Sequence, residues 1–309
     1  MRDDTTSSRW RLIAHSLSLA IAISPAASAA GAPDDPGQRV LHTERSLYRN
    51  ILVYEEAGVR CMRFGRLSGS RQTCMTMAEP ERMVFDYTKM ILGALYLNPE
   101  PARILVIGLG GGTLPTALAQ LLPRASIDAV EIDPAVTRVA RAFFGYTPTQ
   151  RSRVFEEDGR VFVKRAARRG EHYDLVILDA FDHDYIPEHL LTREFLAEVR
   201  QLLPEGGVLA ANTFSGGGLY NHESATYASV FGTFLSVERT NRVILARIGG
   251  LPDAATLVRN ARALEPSLRR YGVMSDELLP LMQPARQAPA GSRVLTDQYS
   301  PSNLLNSKR

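Results

Sequence analysis

The chain has 309 residues, of which 45% are hydrophobic and 22% charged, so it can bury one large core or one core and a small domain. Its formal net charge of +3 is too small to indicate nucleic-acid binding, and no basic cluster is interleaved with aromatic residues. Composition therefore indicates an ordinary globular protein and excludes nucleic acid as an expected partner.

The N-terminus has the pattern of an export signal. Arg2, Arg9 and Arg11 precede a mostly apolar run over 12–23, and the Ala-Ser-Ala at 27–29 provides a cleavage site. The apolar run is too short for a bilayer, which takes about 20 residues. We predict a signal peptide over 1–29 and a periplasmic or secreted protein without a stable membrane span. If the leader is not functional, the protein is cytoplasmic.

A linker and a small β-region are predicted next. Residues 30–44 begin with alanine, glycine, proline and aspartate, which is typical of a flexible linker. Residues 45–98 form an N-terminal region of β-hairpins and one helix. Its predicted elements are strands over 50–55, 59–64 and 72–77 and a helix over 79–97.

The chain contains two cysteines, Cys61 and Cys74, on neighbouring predicted strands. In an oxidising compartment they can form a disulfide. Two separate buried thiols are the alternative, because sequence does not fix strand register.

Between residues 99 and 250 predicted strands alternate with helices. The strands cover 104–107, 127–132, 152–156, 173–178 and 207–212, and the helices cover 114–122, 134–144, 159–168, 192–203 and 223–234. Apolar strands alternating with helices indicate a parallel sheet covered on both faces. Strands over 235–239 and 242–248, separated by Thr240-Asn241, are predicted to form an antiparallel hairpin. A parallel sheet closed by such a hairpin indicates an α/β, class I methyltransferase-like Rossmann fold. Residues 251–309 follow as a helical segment and tail.

A glycine-rich turn follows the first strand of this sheet. Gly108, Gly110 and Gly112 fit the pattern G-x-G-x-G, whereas the third glycine of a dinucleotide motif would fall on Thr113. Glycines let the backbone approach a ligand closely. The spacing therefore favours an adenosyl sulfonium ligand over NAD.

Acidic residues stand where the next two strands end, which is the edge where α/β sheets bind ligands. Glu131 is predicted to bind the ribose diol of the cofactor. Asp133 either joins this cofactor site or only caps the following helix. Asp158 either accepts from the adenine amino group or caps its helix, and Gly159 lets the adenine ring approach the backbone.

The fourth strand end carries Asp179, Asp182 and Asp184. An amine that is protonated at neutral pH must lose a proton before it can attack, and a carboxylate can take that proton. We predict Asp179 as the catalytic base and Asp182 as a residue that orients the amine. A solvated loop is the alternative for Asp182 and Asp184. No metal site is predicted.

These features resemble the spermidine synthase (polyamine aminopropyltransferase) family, and in particular its divergent spermidine synthase-like branch. The resemblance covers roughly residues 45–215. It rests on the glycine turn, Val-Glu-Ile-Asp at 130–133, Glu-Asp-Gly at 157–159 and Tyr-Asp-Leu-Val-Ile-Leu-Asp at 173–179.

The resemblance implies a reaction and a substrate set. An aminopropyl group would pass from decarboxylated S-adenosylmethionine, as co-substrate, to a diamine such as putrescine, giving spermidine and methylthioadenosine. The resemblance also places Gln72 and Tyr87 with Asp182 on the amine side, and it implies a homodimer.

Three positions depart from the family pattern. Gly111 stands where the family usually has an aspartate for the aminopropyl ammonium, Thr88 replaces a histidine, and Arg49 replaces a glutamine. The tail motif at 295–301 also resembles the divergent branch, and its Asp297 either returns to the cleft or has a structural role. Two alternatives therefore stay open: an S-adenosylmethionine-dependent methyltransferase, and a non-catalytic exported binding protein on the same fold.

Overall fold

The structure is a computed structural model that describes residues 37–65, 71–180 and 187–306. The predicted leader over 1–29 and the predicted amine ligand Asp182 lie outside these residues, as does Asp184. Within them, no helix has the length and apolar character needed to cross a membrane.

A four-stranded antiparallel sheet forms the N-terminal region. Its strands are β1 (Arg39–Arg45), β2 (Asn50–Glu56), β3 (Val59–Phe64) and β4 (Arg71–Thr76), paired in that order. The linker prediction over 30–44 is wrong from Arg39 onwards, because β1 pairs with β2 from Arg39↔Glu55 to Arg45↔Asn50. The prolines and glycines that suggested a linker end at Gly37.

Cys61 and Cys74 form a disulfide across this sheet. The two residues face each other directly on β3 and β4, with their Cα atoms 4.1 Å apart. The register that sequence left open therefore brings the two thiols together, and the alternative of two separate thiols is wrong.

A helical connection leads from the small sheet to the large one. Helices α1 (Asp86–Leu92) and α2 (Ala94–Leu97) replace the single helix predicted over 79–97. Residues 79–85 instead form turns, and Met83 makes an isolated bridge with Met75.

The large sheet has eight strands, in the order β12-β10-β11-β9-β8-β5-β6-β7. Its strands are β5 (Arg103–Ile107), β6 (Ser126–Glu131), β7 (Ser152–Glu156), β8 (Leu175–Leu178), β9 (Val208–Thr213), β10 (Leu235–Glu238), β11 (Arg242–Arg247) and β12 (Gln283–Pro284). The helices are α3 (Thr113–Leu121), α4 (Pro134–Phe143), α5 (Gly159–Arg168), α6 (Arg193–Leu202), α7 (Leu219–Phe231), α8 (Ala254–Leu268), α9 (Ser275–Leu278) and α10 (Ser302–Asn306).

Strand directions confirm the predicted class I methyltransferase-like fold. Strands β5 to β9 pair in parallel, whereas β11 pairs antiparallel with both β9 and β10. Because β11 runs in the opposite direction, the turn between β10 and β11 lies at the edge where the parallel strands end. The short strand β12, which was not predicted, extends the sheet beyond β10.

The core lies on both faces of the large sheet. Ile104 and Val106 of β5 pack with α2 and α3 on one face, and Leu105 and Ile107 pack with α5 and α6 on the other. All four side chains are almost completely buried. Strand β5 has β6 on one side and β8 on the other, so the chain reverses its direction of winding there, and ligands bind at such a point in open α/β sheets.

Candidate active site

One cavity lies at this edge, between the large sheet and the small antiparallel sheet. The ends of β5, β6 and β8 form its floor, and residues of the small sheet and α1 form the opposite wall. The lining includes these predicted site residues: Gln72, Tyr87, Gly108, Gly110, Glu131, Asp158, Gly159 and Asp179.

Only glycine fits at position 108, because the backbone of the glycine turn passes close to the backbone at Asp179. The φ of Gly108 is +98°, and a Cβ there would lie 2.1 Å from the carbonyl oxygen of Asp179. Gly112 has a different part in the turn, because it lies outside the cavity lining and against the ring of Tyr146. The structure thus places Gly112 as a packing residue before α3 rather than beside the space for a ligand.

Backbone donors hold the Glu131 side chain in position. Its Oε2 accepts from the Leu109 N–H at 3.1 Å, and its Oε1 accepts from the Asp133 N–H at 3.0 Å. Burial raises the pKa of Glu131, while these two hydrogen bonds and the nearby Arg49 lower it. Each oxygen keeps a free lone pair, so the carboxylate can still accept from a diol in the cavity.

Asp133 serves as a helix cap outside the cavity lining. Its side chain is buried, accepts from the Ala135 N–H at 3.0 Å, and so caps α4. It also accepts from the Ser46 hydroxyl at 2.5 Å, which ties the small sheet to the large one. Of the two predicted roles for Asp133, the geometry fits the cap.

Asp158 combines a capping role with a position in the cavity. Its Oδ1 accepts from the Arg160 and Val161 N–H groups at 2.9 and 3.0 Å, which caps α5. Its Oδ2 lies 2.9 Å from Nε2 of His189, and this hydrogen bond lowers the pKa of Asp158. His189 also lines the cavity, and sequence gave no sign of it because it is 31 residues from its partner.

Asp179 is a half-buried residue whose carboxyl group lies at the cavity floor. Burial raises the pKa of Asp179 to about 7, although hydrogen bonds from Asn212 and Tyr87 lower it. The Tyr87 pKa is in turn well above its usual value, because that phenol is buried and faces the Asp179 charge. A carboxyl group with a pKa near neutrality is suited to accept a proton from a reacting group.

Each of the three positions that depart from the resemblance lines the cavity. A Cβ at Gly111 would lie 2.7 Å from Cγ2 of Thr73, so that threonine occupies the space a side chain would need. The Thr88 hydroxyl donates to the Phe85 carbonyl at 2.7 Å, and the Arg49 guanidinium lies 4.2 Å from the centre of the Phe64 ring.

The C-terminal tail reaches the back of this site. Arg160, which follows Gly159, pairs through both terminal nitrogens with Asp297 at 2.7 and 2.8 Å and also pairs with Glu198. The same guanidinium donates to the His189 carbonyl at 3.3 Å. Asp297 lies outside the lining of the main cavity, so the geometry fits its structural alternative.

The charged groups of the cavity define the chemistry it can support. A carboxyl at the floor can hold or accept a proton, and the Glu131 carboxylate can accept from hydroxyl groups. Among residues 37–65, 71–180 and 187–306, no three or more His, Cys, Asp or Glu side chains group so that they could hold a metal ion.

The chain is similar to known proteins over most of its length. The family model described as the spermine/spermidine synthase domain matches residues 84–238. A polyamine aminopropyltransferase of Vibrio vulnificus (strain CMCP6) is 46% identical over 272 residues, which is 86% of this chain and 91% of that protein.

Solved structures show the same fold. A probable spermidine synthase from Corynebacterium glutamicum has a TM-score of 0.65 at 18% identity, covering 84% of this chain and 97% of that chain. Human methyltransferase-like protein 13, solved in complex with SAH, has a TM-score of 0.55 at 28% identity, covering 63% of this chain and all of that chain (100%).

Proposed function

Because this chain belongs to the spermine/spermidine synthase family, we propose that it transfers an aminopropyl group from decarboxylated S-adenosylmethionine to a diamine such as putrescine. The products are spermidine and methylthioadenosine. The observation that carries this proposal is the half-buried Asp179 carboxyl at the cavity floor, with its pKa raised to about 7 and the Tyr87 hydroxyl beside it.

The positions of the described side chains in the cavity support the following proposed residue roles. Glu131 accepts from the ribose hydroxyls, and Asp158 faces the adenine amino group while Gly159 leaves space for the ring. Gly108 and Gly110 allow close approach of the adenosyl group. Gln72 and Tyr87 line the wall above Asp179, where the amine would lie, and we keep Asp182 as a second amine ligand.

The chemical step is a displacement at carbon. A neutral amine nitrogen attacks the aminopropyl carbon bonded to sulfur, and a new C–N bond forms as the C–S bond breaks. The bonding pair stays on sulfur, so the sulfonium becomes a neutral thioether. The proton that the ammonium must lose before it attacks passes to the Asp179 carboxylate, which must therefore be ionised before the reaction, and the nitrogen of the product remains protonated.

Replacing the proposed base tests this assignment. Asp179→Asn should abolish spermidine formation, because an amide cannot take the proton, and should leave the affinity for methylthioadenosine within about threefold. Asp86→Asn is the control, since Asp86 lies on α1 outside the cavity lining. Equal turnover in wild type and Asp179→Asn would contradict the assignment of the base.

Methyl transfer from intact S-adenosylmethionine is the second candidate. The filled space at Gly111 favours it, because no carboxylate stands there to select an aminopropyl ammonium. Calorimetric titration with methylthioadenosine, S-adenosylmethionine and its decarboxylated form, each with and without putrescine, separates the two. Preference for the intact form would favour methyl transfer, and no adenosyl binding would favour a non-catalytic binding protein.

We also propose that the protein works outside the cytoplasm as a homodimer. The leader pattern over 1–29 and the Cys61–Cys74 disulfide support an oxidising compartment. Sedimentation of the purified chain tests the dimer, and N-terminal sequencing of protein from the periplasm tests the cleavage.

A further inference from the structure

We propose that Asn212 is a positioning residue for Asp179, and that Asn241 fixes the orientation of the Asn212 amide. The proposal rests on the function proposed above, in which Asp179 accepts the proton. It extends the site to a second strand and a turn that do not line the cavity.

Three side chains form a continuous line of hydrogen bonds. Asn212, on β9, donates from Nδ2 to Oδ1 of Asp179 at 3.0 Å. Asn241, in the turn between β10 and β11, donates from Nδ2 to Oδ1 of Asn212 at 3.2 Å. Asn212 is 8% exposed, so the line runs behind the carboxyl rather than through the space for substrates.

The outer asparagine decides which way the inner amide points. The oxygen and nitrogen of an amide have nearly the same shape, so only their partners distinguish the two orientations. An ionised Asp179 only accepts hydrogen bonds, and a rotated Asn212 would turn its own oxygen towards that charge. The donor from Asn241 occupies the Asn212 oxygen and thus keeps the Asn212 nitrogen towards Asp179.

The hydrogen-bonded line from Asn241 through Asn212 to Asp179, here called the relay, stabilises the ionised form of the base. Among the described residues, two side-chain donors reach Asp179, namely Tyr87 on α1 and Asn212 on β9. Tyr87 lines the cavity, where an amine can compete for its hydroxyl, whereas Asn212 remains in contact through the reaction. Its donation stabilises the carboxylate and so opposes the effect of burial.

Among the described residues, burial and the hydrogen bonds from Asn212 and Tyr87 account for the shift in the pKa of Asp179. Besides Asp179 and Tyr87, the charged or titratable groups lining the cavity are Tyr48 and Arg49 before β2, Glu131 at the end of β6, Asp158 before α5 and His189 in the turn Glu188–Leu190.

The fold explains why a remote turn can reach the base. Because β11 is antiparallel to β9, its first residues lie at the edge where β8 and β9 end, and Asn212 pairs with Val243 there. If β11 were parallel to β9, the turn leading into β11 would lie at the opposite edge of the sheet. The hairpin that ends the sheet thus supplies a side chain to the active-site edge.

The test compares pH profiles of full-length variants. Asn212→Leu, which has nearly the same shape but no donor, should shift the acidic limb of the kcat/KM profile upwards by about one pH unit. At a pH below that limb, kcat/KM should fall roughly tenfold, with recovery at alkaline pH. Asn241→Leu, which adds no charge, should shift the limb in the same direction by a smaller amount, because the Asn212 amide can rotate once the donor from Asn241 is lost. Thr240→Ala, in the same turn but with an exposed side chain, is the matched control and should leave the profile unchanged.

A second measurement separates this proposal from the proposed function. Carbon-13 NMR titration of the aspartate carboxyls, with the Asp179 signal assigned by its loss in Asp179→Asn, reports the midpoint without turnover. An inactive wild-type enzyme would contradict the proposed function, while the midpoints would still decide the relay. The proposed relay would be overturned if the folded variants at 212 and 241 had the same Asp179 titration midpoint as wild type. A loss of activity that is equal at every pH would also overturn it. Should Asn212→Leu fail to fold, Asn241→Leu decides alone.

Discussion

Asp179→Asn is expected to stabilise the folded protein at neutral and alkaline pH, even though it removes the proposed base. Burial raises the pKa of Asp179 from 3.8 to about 7. Between those values the folded state holds a proton that the unfolded state has released, so wild-type stability falls as the pH rises and levels off above about 7. An asparagine does not titrate and has no such dependence.

The size of the effect follows from the same shift. A difference of about three pKa units corresponds to about 4 kcal/mol for holding the charge in the folded state at alkaline pH. The amide of the variant keeps one acceptor oxygen, so the hydrogen bond from either Tyr87 or Asn212 is lost, at about 1–3 kcal/mol. The net gain in the free energy of unfolding should be about 1–3 kcal/mol near pH 8 and close to zero near pH 5.

Urea denaturation followed by circular dichroism, at both pH values and with the disulfide oxidised, measures this difference. The stability of Asp179→Asn relative to wild type should increase by about 2–3 kcal/mol from about pH 5 to about pH 8. Asp86→Asn controls for the loss of one negative charge and should show no such increase. A relative stability independent of pH would refute the reasoning that burial keeps Asp179 protonated at low pH.

Three further predictions concern the turn, the disulfide and the tail. Gly108→Ala should lower the free energy of unfolding by about 3 kcal/mol or more and abolish activity, since its Cβ would overlap a backbone oxygen, whereas Gly110→Ala, with open space around the Cβ, should cost about 1 kcal/mol. Thermal unfolding measures both, and equal losses would contradict the steric argument. Cys61→Ser should cost about 3 kcal/mol under oxidising conditions, because the disulfide closes a loop with a sequence separation of 13, and reductant should remove the difference from wild type. Asp297→Asn should lower stability by about 1 kcal/mol and weaken methylthioadenosine binding severalfold in calorimetry, because its partner Arg160 is mostly buried while Asp297 itself is 44% exposed and screened by solvent. Unchanged binding would show that the tail does not support the adenosyl site.

The parallel sheet was predictable because its signals are local. The apolar run of β5 leads directly into glycines, and only a buried parallel strand followed by a tight turn fits that pattern. The turn signal at Thr240-Asn241 likewise predicted the antiparallel hairpin, although the connection in the structure has the three residues 239–241. Asp179, at the end of such a strand, lies at the cavity floor for the same reason.

Features that depend on distant pairing could not be predicted. Strand β1 lacks a strong alternating pattern, and it is held by pairing with β2 and by packing of Leu41 in a cluster with α4. His189 and Asn212 are 31 and 33 residues from the carboxylates they contact, so no spacing rule finds them. The choice between cap and ligand at Asp133 depends on its distant partner Ser46, which sequence does not specify.

The small sheet forms one wall of the cavity. Binding of substrate and packing of the small sheet against the rest of the protein therefore stabilise each other. The ties of the small sheet to the large sheet include Ser46 to Asp133 and Arg60 to the Phe143 carbonyl, at 2.5 and 2.7 Å. Partial opening, in which the small sheet separates while the large sheet stays folded, would remove one wall of the binding surface. A ligand at a hundred times its dissociation constant would oppose that opening by about 2.7 kcal/mol, so amide hydrogens of β2 and β3 should exchange about a hundredfold more slowly in the bound protein.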